Sequence, residues 1–269
     1  MTKILIFILS LSFMQCKSQV NLNTVASESI RKKQDSIIKK YVTNCAEKFN
    51  YKHQMFEWQN CLDEGLKADS TIAYLWQQKA MPYFKARKYE IGMNYLDKAV
   101  FYDSRRWLSY RAFIKCIFAK TYQDAIIDFE KCIDTEGNSY VMDHTYQFHI
   151  ALCNLQLNQF KKAETIFSKD IEEQEKEWGE AHYLDLFYYG ISKYEQGKWK
   201  EAIVQFDKSL KQYPKFSEVK YYKSICLLRL NDLENSKILY EQSKEDAING
   251  YSINEDNNIY ETYPYQVRW

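Results

Sequence analysis

Helix breakers are scarce in this chain, which has seven Gly and three Pro among 269 residues. Long helices can therefore run uninterrupted, and no long alternating apolar–polar run supplies a sheet. An excess of charge of one sign is also missing. Lys+Arg 37 against Asp+Glu 36 leave a formal charge of +1, so no global field exists to hold nucleic acid, and none is expected as a partner. The motifs GxSxG, HExxH, GxxxxGK(S/T) and GxGxxG do not occur, which leaves no recognisable catalytic elbow, zincin site or phosphate loop. No CxxC pair exists, so a cysteine-based zinc site has no support. Neighbouring carboxylates such as Glu172–Glu173 and Glu255–Asp256 read as solvated loop charges rather than an acid–base pair. The chain reads as a non-enzyme with no cofactor.

Histidine is rare as well, at four residues: His53, His144, His149 and His182. Asp143, His144 and His149 come nearest to a ligand cluster. Their spacing does not align both rings on one helix face, and His144 falls in the loop before a helix. These are read as surface or groove histidines, and no metal site is expected.

What the chain does have is a repeat. A small or apolar residue is followed four places later by a large apolar one at Trp58–Leu62, Gly92–Leu96, Ala125–Phe129, Ala163–Phe167, Ala202–Phe206 and Ser236–Tyr240. Successive first members are 34, 33, 38, 39 and 34 residues apart. A spacing of four places each pair on one helix face, and the longer period fits one helix–turn–helix per copy. Such a unit buries its apolar stripe only by stacking on neighbours, so a solenoid with one continuous core is expected over 27–246. Where the spacing stretches, loops are expected at Thr135–Asp143 and Glu173–Glu180. A longer first helix, from about Ser27 to Phe49, is read as an N-terminal cap.

In the fifth copy Gly190, Gly197, Trp199, Ala202, Phe206 and Pro214 follow the small, turn, aromatic and stop positions of the tetratricopeptide family, which this repeat resembles. The second copy matches through Trp76, Ala80, Tyr83, Tyr89, Gly92, Leu96 and Ala99. Departures occur elsewhere, since Trp58 and Phe113 stand where the family keeps small residues. The resemblance implies an all-α, right-handed α-solenoid of about six helix–turn–helix repeats that binds a protein or peptide partner. It also implies that the first helix of each repeat lines a concave groove. Aligning those helices puts Tyr110, Phe148, Phe187 and Tyr221 at one level, and Arg111, His149, Tyr188 and Tyr222 at the next. An aromatic ladder of this kind suits an extended ligand; the competing explanation is plain packing between repeats. The Lys/Asn carboxylate clamp of chaperone-binding members is not matched by Asn44, Gln78 and Arg111.

The N-terminus is a separate object. Met1–Lys3 gives a positive start, Ile4–Met14 is largely apolar, and Cys16 follows. The apolar run is too short to span a bilayer but suits a secretory signal. It resembles bacterial lipoprotein signals, which implies a signal peptide over 1–15, a lipid on Cys16, and a tether over 16–26. Membrane attachment through that lipid, at the outer membrane of the cell envelope, is the expectation; simple secretion and an uncleaved anchor are the alternatives. Arg31, Lys32, Lys33, Lys39 and Lys40 are read as a solvated helix face, with anionic headgroups as the other option.

Beyond Cys16 the cysteines are Cys45, Cys61, Cys116, Cys132, Cys153 and Cys226. Most lie in helical apolar stripes, where cysteine acts as a small buried hydrophobe, and unbridged thiols are the preferred reading. Only Cys45 and Cys61 sit where they could meet. The stretch 247–269 is too aromatic for a free tail. It is expected to cap the last repeat's exposed face, with entry into the groove as a ligand mimic the alternative.

Overall fold

The computed structural model describes residues 27–269. The signal segment 1–15 and the Cys16–Ala26 tether lie outside the described residues.

Twelve helices run along the described chain in antiparallel pairs. They are α1 (27–38, continued by a π turn at Lys39–Thr43), α2 (Met55–Ala68), α3 (Ala73–Lys85), α4 (Tyr89–Tyr102), α5 (Ser104–Ile114, with a π turn at Lys115–Ala119) and α6 (Tyr122–Glu136). These are followed by α7 (Tyr146–Gln156), α8 (Phe160–Trp178), α9 (Tyr183–Tyr194), α10 (Trp199–Gln212), α11 (Ser217–Arg229) and α12 (Leu233–Ile248). Among the described residues the fold is an all-helical repeat solenoid with one short hairpin, in which β1 (Tyr140–Val141) pairs antiparallel with β2 (His144–Thr145).

The six anchor pairs all lie on second helices. From Leu62 through Phe206 the large members are buried, whereas Tyr240 on the terminal α12 stays 40% exposed because no further repeat covers it. Close approach explains the small residues. A β-carbon on Gly190 would sit 2.4 Å from Phe206 Cε1, and one on Gly92 would sit 2.5 Å from Phe84 Cε1. Only glycine lets α9 meet α10, and α3 meet α4, at that separation.

From α3 onward, the turn inside each pair is built on one left-handed residue. Arg87, Lys120, Asn158, Gly197 and Asn231 all take φ between 58° and 71°. In four of the five, the next amide reaches back five residues: Lys88 to Tyr83, Gln159 to Asn154, Lys198 to Lys193, and Asp232 to Leu227. These bonds satisfy carbonyls that the helix end leaves open. After α5 the π turn adds a residue, and Thr121 N reaches Lys115 O instead.

Four expectations are corrected. The first helix does not continue to Phe49; it ends in the π turn and a 3-10 turn at Ala46–Lys48. Residues 173–178 are not loop but the end of the 19-residue α8, so the longer spacing there is largely extra helix. The core is not one body: Val42, Ala46, Trp58, Cys61, Leu62, Leu66, Ile72 and Leu75 form a satellite cluster beside the main one. Finally, Cys45 and Cys61 are bridged, with Cα atoms 5.8 Å apart, because the turn after α1 brings Cys45 against α2. Cys116, Cys132, Cys153 and Cys226 are free and buried.

Candidate functional site: the inner face and its tail

The first helices α3, α5, α7, α9 and α11 share one face, and the segment after α12 lies across it. At its start Ser217 N donates to Tyr251 O at 3.0 Å, and the Ser252 hydroxyl donates to Glu218 Oε1 at 2.6 Å. Ile253 is buried, and the Tyr183 hydroxyl donates to Asn254 at 2.5 Å. The chain then reaches the far turns. Arg87 Nη2 donates to Tyr260 O at 3.1 Å, and Lys85 Nζ lies 4.8 Å above the Tyr260 ring. Glu261 accepts from the Tyr89 hydroxyl and pairs with Lys120 at 3.4 Å. From there the tail doubles back. The Tyr188 hydroxyl donates to Pro264 O at 3.0 Å, Tyr265 meets Tyr222 edge-on, and the Trp269 ring sits between Tyr221 and Tyr240.

The tail therefore occupies the inner face and does not cap the end of the solenoid. The partners it finds explain this. Its aromatic rings meet Tyr221 and Tyr222 on α11, and tyrosine hydroxyls of α9 reach Asn254 and Pro264. Glu261 meets cations at the α3–α4 and α5–α6 turns, whereas on α12 the tail meets the Tyr240 ring and, at its root, the Asp246 carbonyl. Tyr263 is buried and Tyr265 half-buried, whereas Trp269, expected to be partly buried, stays 44% exposed. A cavity of about 280 Å³ remains beneath the returning strand, lined in part by Cys116, Lys120, Tyr122 and Gln156. The Cys116 and Cys153 sulfurs lie 3.3 Å apart beside it.

The eight predicted groove residues do not share one environment. Tyr188, Tyr221 and Tyr222 face the tail. Phe148, His149 and Phe187 are buried in contacts between helices: Phe148 packs on Phe167, Phe187 on Phe206 and Phe216, and His149 stacks on Phe129 with centroids 5.1 Å apart. Tyr110 is half-buried against Trp107 on its own helix. Arg111 turns away from the groove, with Nε and Nη2 donating to Asp128 at 2.8 Å and Nη1 to Asp97 at 2.9 Å, so it joins α5 to α6 and α4. Of the eight residues aligned along the groove, three tyrosines line it, and the chain's own tail covers them.

Sequence spacing gave no sign of the ion cluster at the centre of this face. His144 is buried, not a surface residue. Its Nδ1 lies 2.8 Å from Asp185 Oδ1, and its Nε2 lies 3.5 Å from Glu255 Oε1 of the tail. Burial alone would lower the imidazole pKa, but the two carboxylates outweigh it and push the pKa up to about 10. Burial works against the Asp185 carboxylate too, yet His144, His182 and Gln174 hold it well below the usual range. Asp143 and His149 do not join this cluster. Elsewhere on the face, burial raises Glu218, which accepts from both Ser217 and Ser252.

Residues 186–215, spanning most of α9 and α10, match the tetratricopeptide repeat family. The fold is a tetratricopeptide-repeat solenoid. Among solved structures, a tetratricopeptide repeat protein from Parabacteroides merdae ATCC 43184 superposes with a TM-score of 0.63 at 13% identity, covering 80% of each chain. PilW, a type IV pilus biogenesis factor, gives 0.60 at 13% identity over 80% of this chain and 94% of its own. Pseudomonas aeruginosa pilF gives 0.59 at 14% identity over 79% and 92%. At these identities the likeness concerns fold alone. A search of curated proteins returns no match.

Tetratricopeptide scaffolds are typically non-catalytic interaction modules.

Proposed function

We propose that this chain is a non-enzymatic scaffold held at the bacterial cell envelope by a lipid on Cys16, and that it captures an extended partner segment along its inner face. One observation carries the reading: residues 251–269 already lie there as an irregular extended segment, held by carbonyl contacts, carboxylate–cation pairs and aromatic edges. A partner of the same chemistry, aromatic and acidic with a proline turn, would compete for those groups. Tyr188, Tyr221 and Tyr222 would receive its rings, and Arg87 and Lys120 its carboxylates.

A second reading treats the protein as a structural subunit of an envelope complex, its groove permanently closed and its partner held on the outer helices. The exposure of Phe56 on α2 and Phe101 on α4, at 74% and 81%, favours it.

Two experiments test these statements. Cys16→Ser should release the protein from the membrane fraction, and a mature protein without acyl mass would defeat the lipoprotein assignment. For the groove, a fluorescent peptide of residues 251–269 should bind a chain ending at Gly250 and bind the full chain more weakly. Equal absence of binding to both would favour the structural subunit.

A further inference from the structure

The His144–Asp185 contact has an unusual geometry. The two atoms approach to 2.8 Å, yet neither Nδ1 nor Oδ1 has a hydrogen-bond partner of acceptable alignment, and both are buried. They are close without pointing at one another. A third atom, His182 Nδ1, lies 3.7 Å from the same Asp185 oxygen. One ligand atom from each of the three residues fits within 4.8 Å of the others.

We propose that His144, His182 and Asp185 form a binding site for a divalent transition metal of the zinc class. Two imidazoles and a carboxylate are a donor set that suits such ions, with a fourth position left to water. Tetrahedral bonds of about 2.0–2.1 Å place ligand atoms roughly 3.3 Å apart, so the cluster needs only small side-chain adjustments.

The surroundings fit a built site. Metal-bound histidines usually donate the second ring nitrogen to a carboxylate, and His144 Nε2 faces Glu255 at 3.5 Å. Gln174 Nε2 donates to the other Asp185 oxygen at 2.6 Å, while its Oε1 accepts from His182 N at 3.2 Å, so one side chain positions two ligands. His182 is 43% exposed and gives the ion a path from solvent. Because Glu255 belongs to the tail, binding at this site would also fasten the tail to the inner face.

The test titrates full-length protein with zinc chloride against a chromophoric chelator, then repeats the titration with cobalt(II) to read visible absorption. One equivalent of zinc should bind, and cobalt should give a tetrahedral spectrum without a thiolate charge-transfer band. His182→Ala, chosen because this side chain is partly exposed, should weaken binding at least about tenfold, and Glu255→Gln about 10–100-fold. Zinc should also slow proteolysis within 251–269 in the wild type but not in His182→Ala. No saturable binding, a thiolate band, or undiminished affinity in His182→Ala would overturn the proposal. The first outcome would leave a plain buried imidazolium–carboxylate pair.

Discussion

The Tyr188 hydroxyl donates to the Pro264 carbonyl at 3.0 Å, joining the middle of the solenoid to a residue 76 positions later. Tyr188 is fully buried, and burial raises its phenol pKa well above the usual value, so it stays a donor throughout the ordinary pH range. A buried phenol needs a partner for its hydroxyl, and in this groove the partner is the chain's own backbone. The inner face is therefore shaped around an extended peptide.

Removing the tail should expose that shape without destroying it. A chain ending at Gly250 loses Ile253 and Tyr263 from the core, each contributing about 1.5–3 kcal/mol of burial. The melting temperature should fall by several degrees while helical circular dichroism per residue of the solenoid is retained, and an apolar dye should bind more strongly. An unchanged melting temperature and no dye binding would mean that the tail does not rest on this face in solution.

The Cys45–Cys61 bridge closes a 16-residue separation and holds the satellite core around Trp58 and Leu62. Cys45→Ser, or reduction, should cost about 2–4 kcal/mol. The effect should be local: hydrogen exchange should accelerate in α1 and α2 and leave α9 and α10 unchanged. Uniform exchange across all helices after reduction would mean that the two cores are not separable.

The solenoid was legible because its information is periodic. Each apolar pair is four residues apart and each copy about 34, so α2, α4, α6, α8, α10 and α12 announce themselves locally. The tail was not legible for the opposite reason. Its partners, Arg87 and Tyr188 among them, are far away in sequence and follow no spacing. Arg111 shows a third case, since alignment set its level on the helix while Asp97 and Asp128, on other helices, decided where its side chain went. His144 and Asp185 meet through the β1–β2 hairpin, which fills a stretch expected to be loop.

Close packing at the fifth repeat is the test of register. Gly190→Ala would bring a methyl group within 2.4 Å of Phe206, and Ala202→Trp would force a large ring into the same helix pair. Each should destabilise by about 1–3 kcal/mol or more in chemical denaturation. Wild-type midpoints for both would mean that α9 and α10 do not meet as described.

Glu164 gives a prediction with a definite sign. Burial raises its carboxyl, but hydrogen bonds from Lys193, Lys198 and Gln196 outweigh this and hold it at about 2. A depressed carboxylate contributes stability that is fully present above its unfolded pKa, about 4.3, and is lost as pH falls through about 2. Glu164→Gln should therefore cost about 1.5–3 kcal/mol at pH 7, and the difference from wild type should shrink as the pH drops from 5 to 2. A cost independent of pH over that window would assign the loss to packing instead of charge.

Arg87 and Lys120 hold the left-handed turn position that Gly197 fills in the fifth repeat and asparagine fills in two others. A side chain there carries a backbone cost of about 1–2 kcal/mol, which glycine avoids. These two are also the turn residues that reach the tail, Arg87 through the Tyr260 carbonyl and Lys120 through Glu261. The cost is thus offset by docking of 251–269. Arg87→Gly should relieve the turn and loosen the tail together, so the melting temperature should change little while cleavage within 251–269 becomes faster. Lys88→Gly, one residue along and outside the left-handed position, should leave tail cleavage unchanged. If Arg87→Gly raises the melting temperature and leaves the tail as protected as in wild type, the arginine does not hold it, and the strained turn needs another explanation.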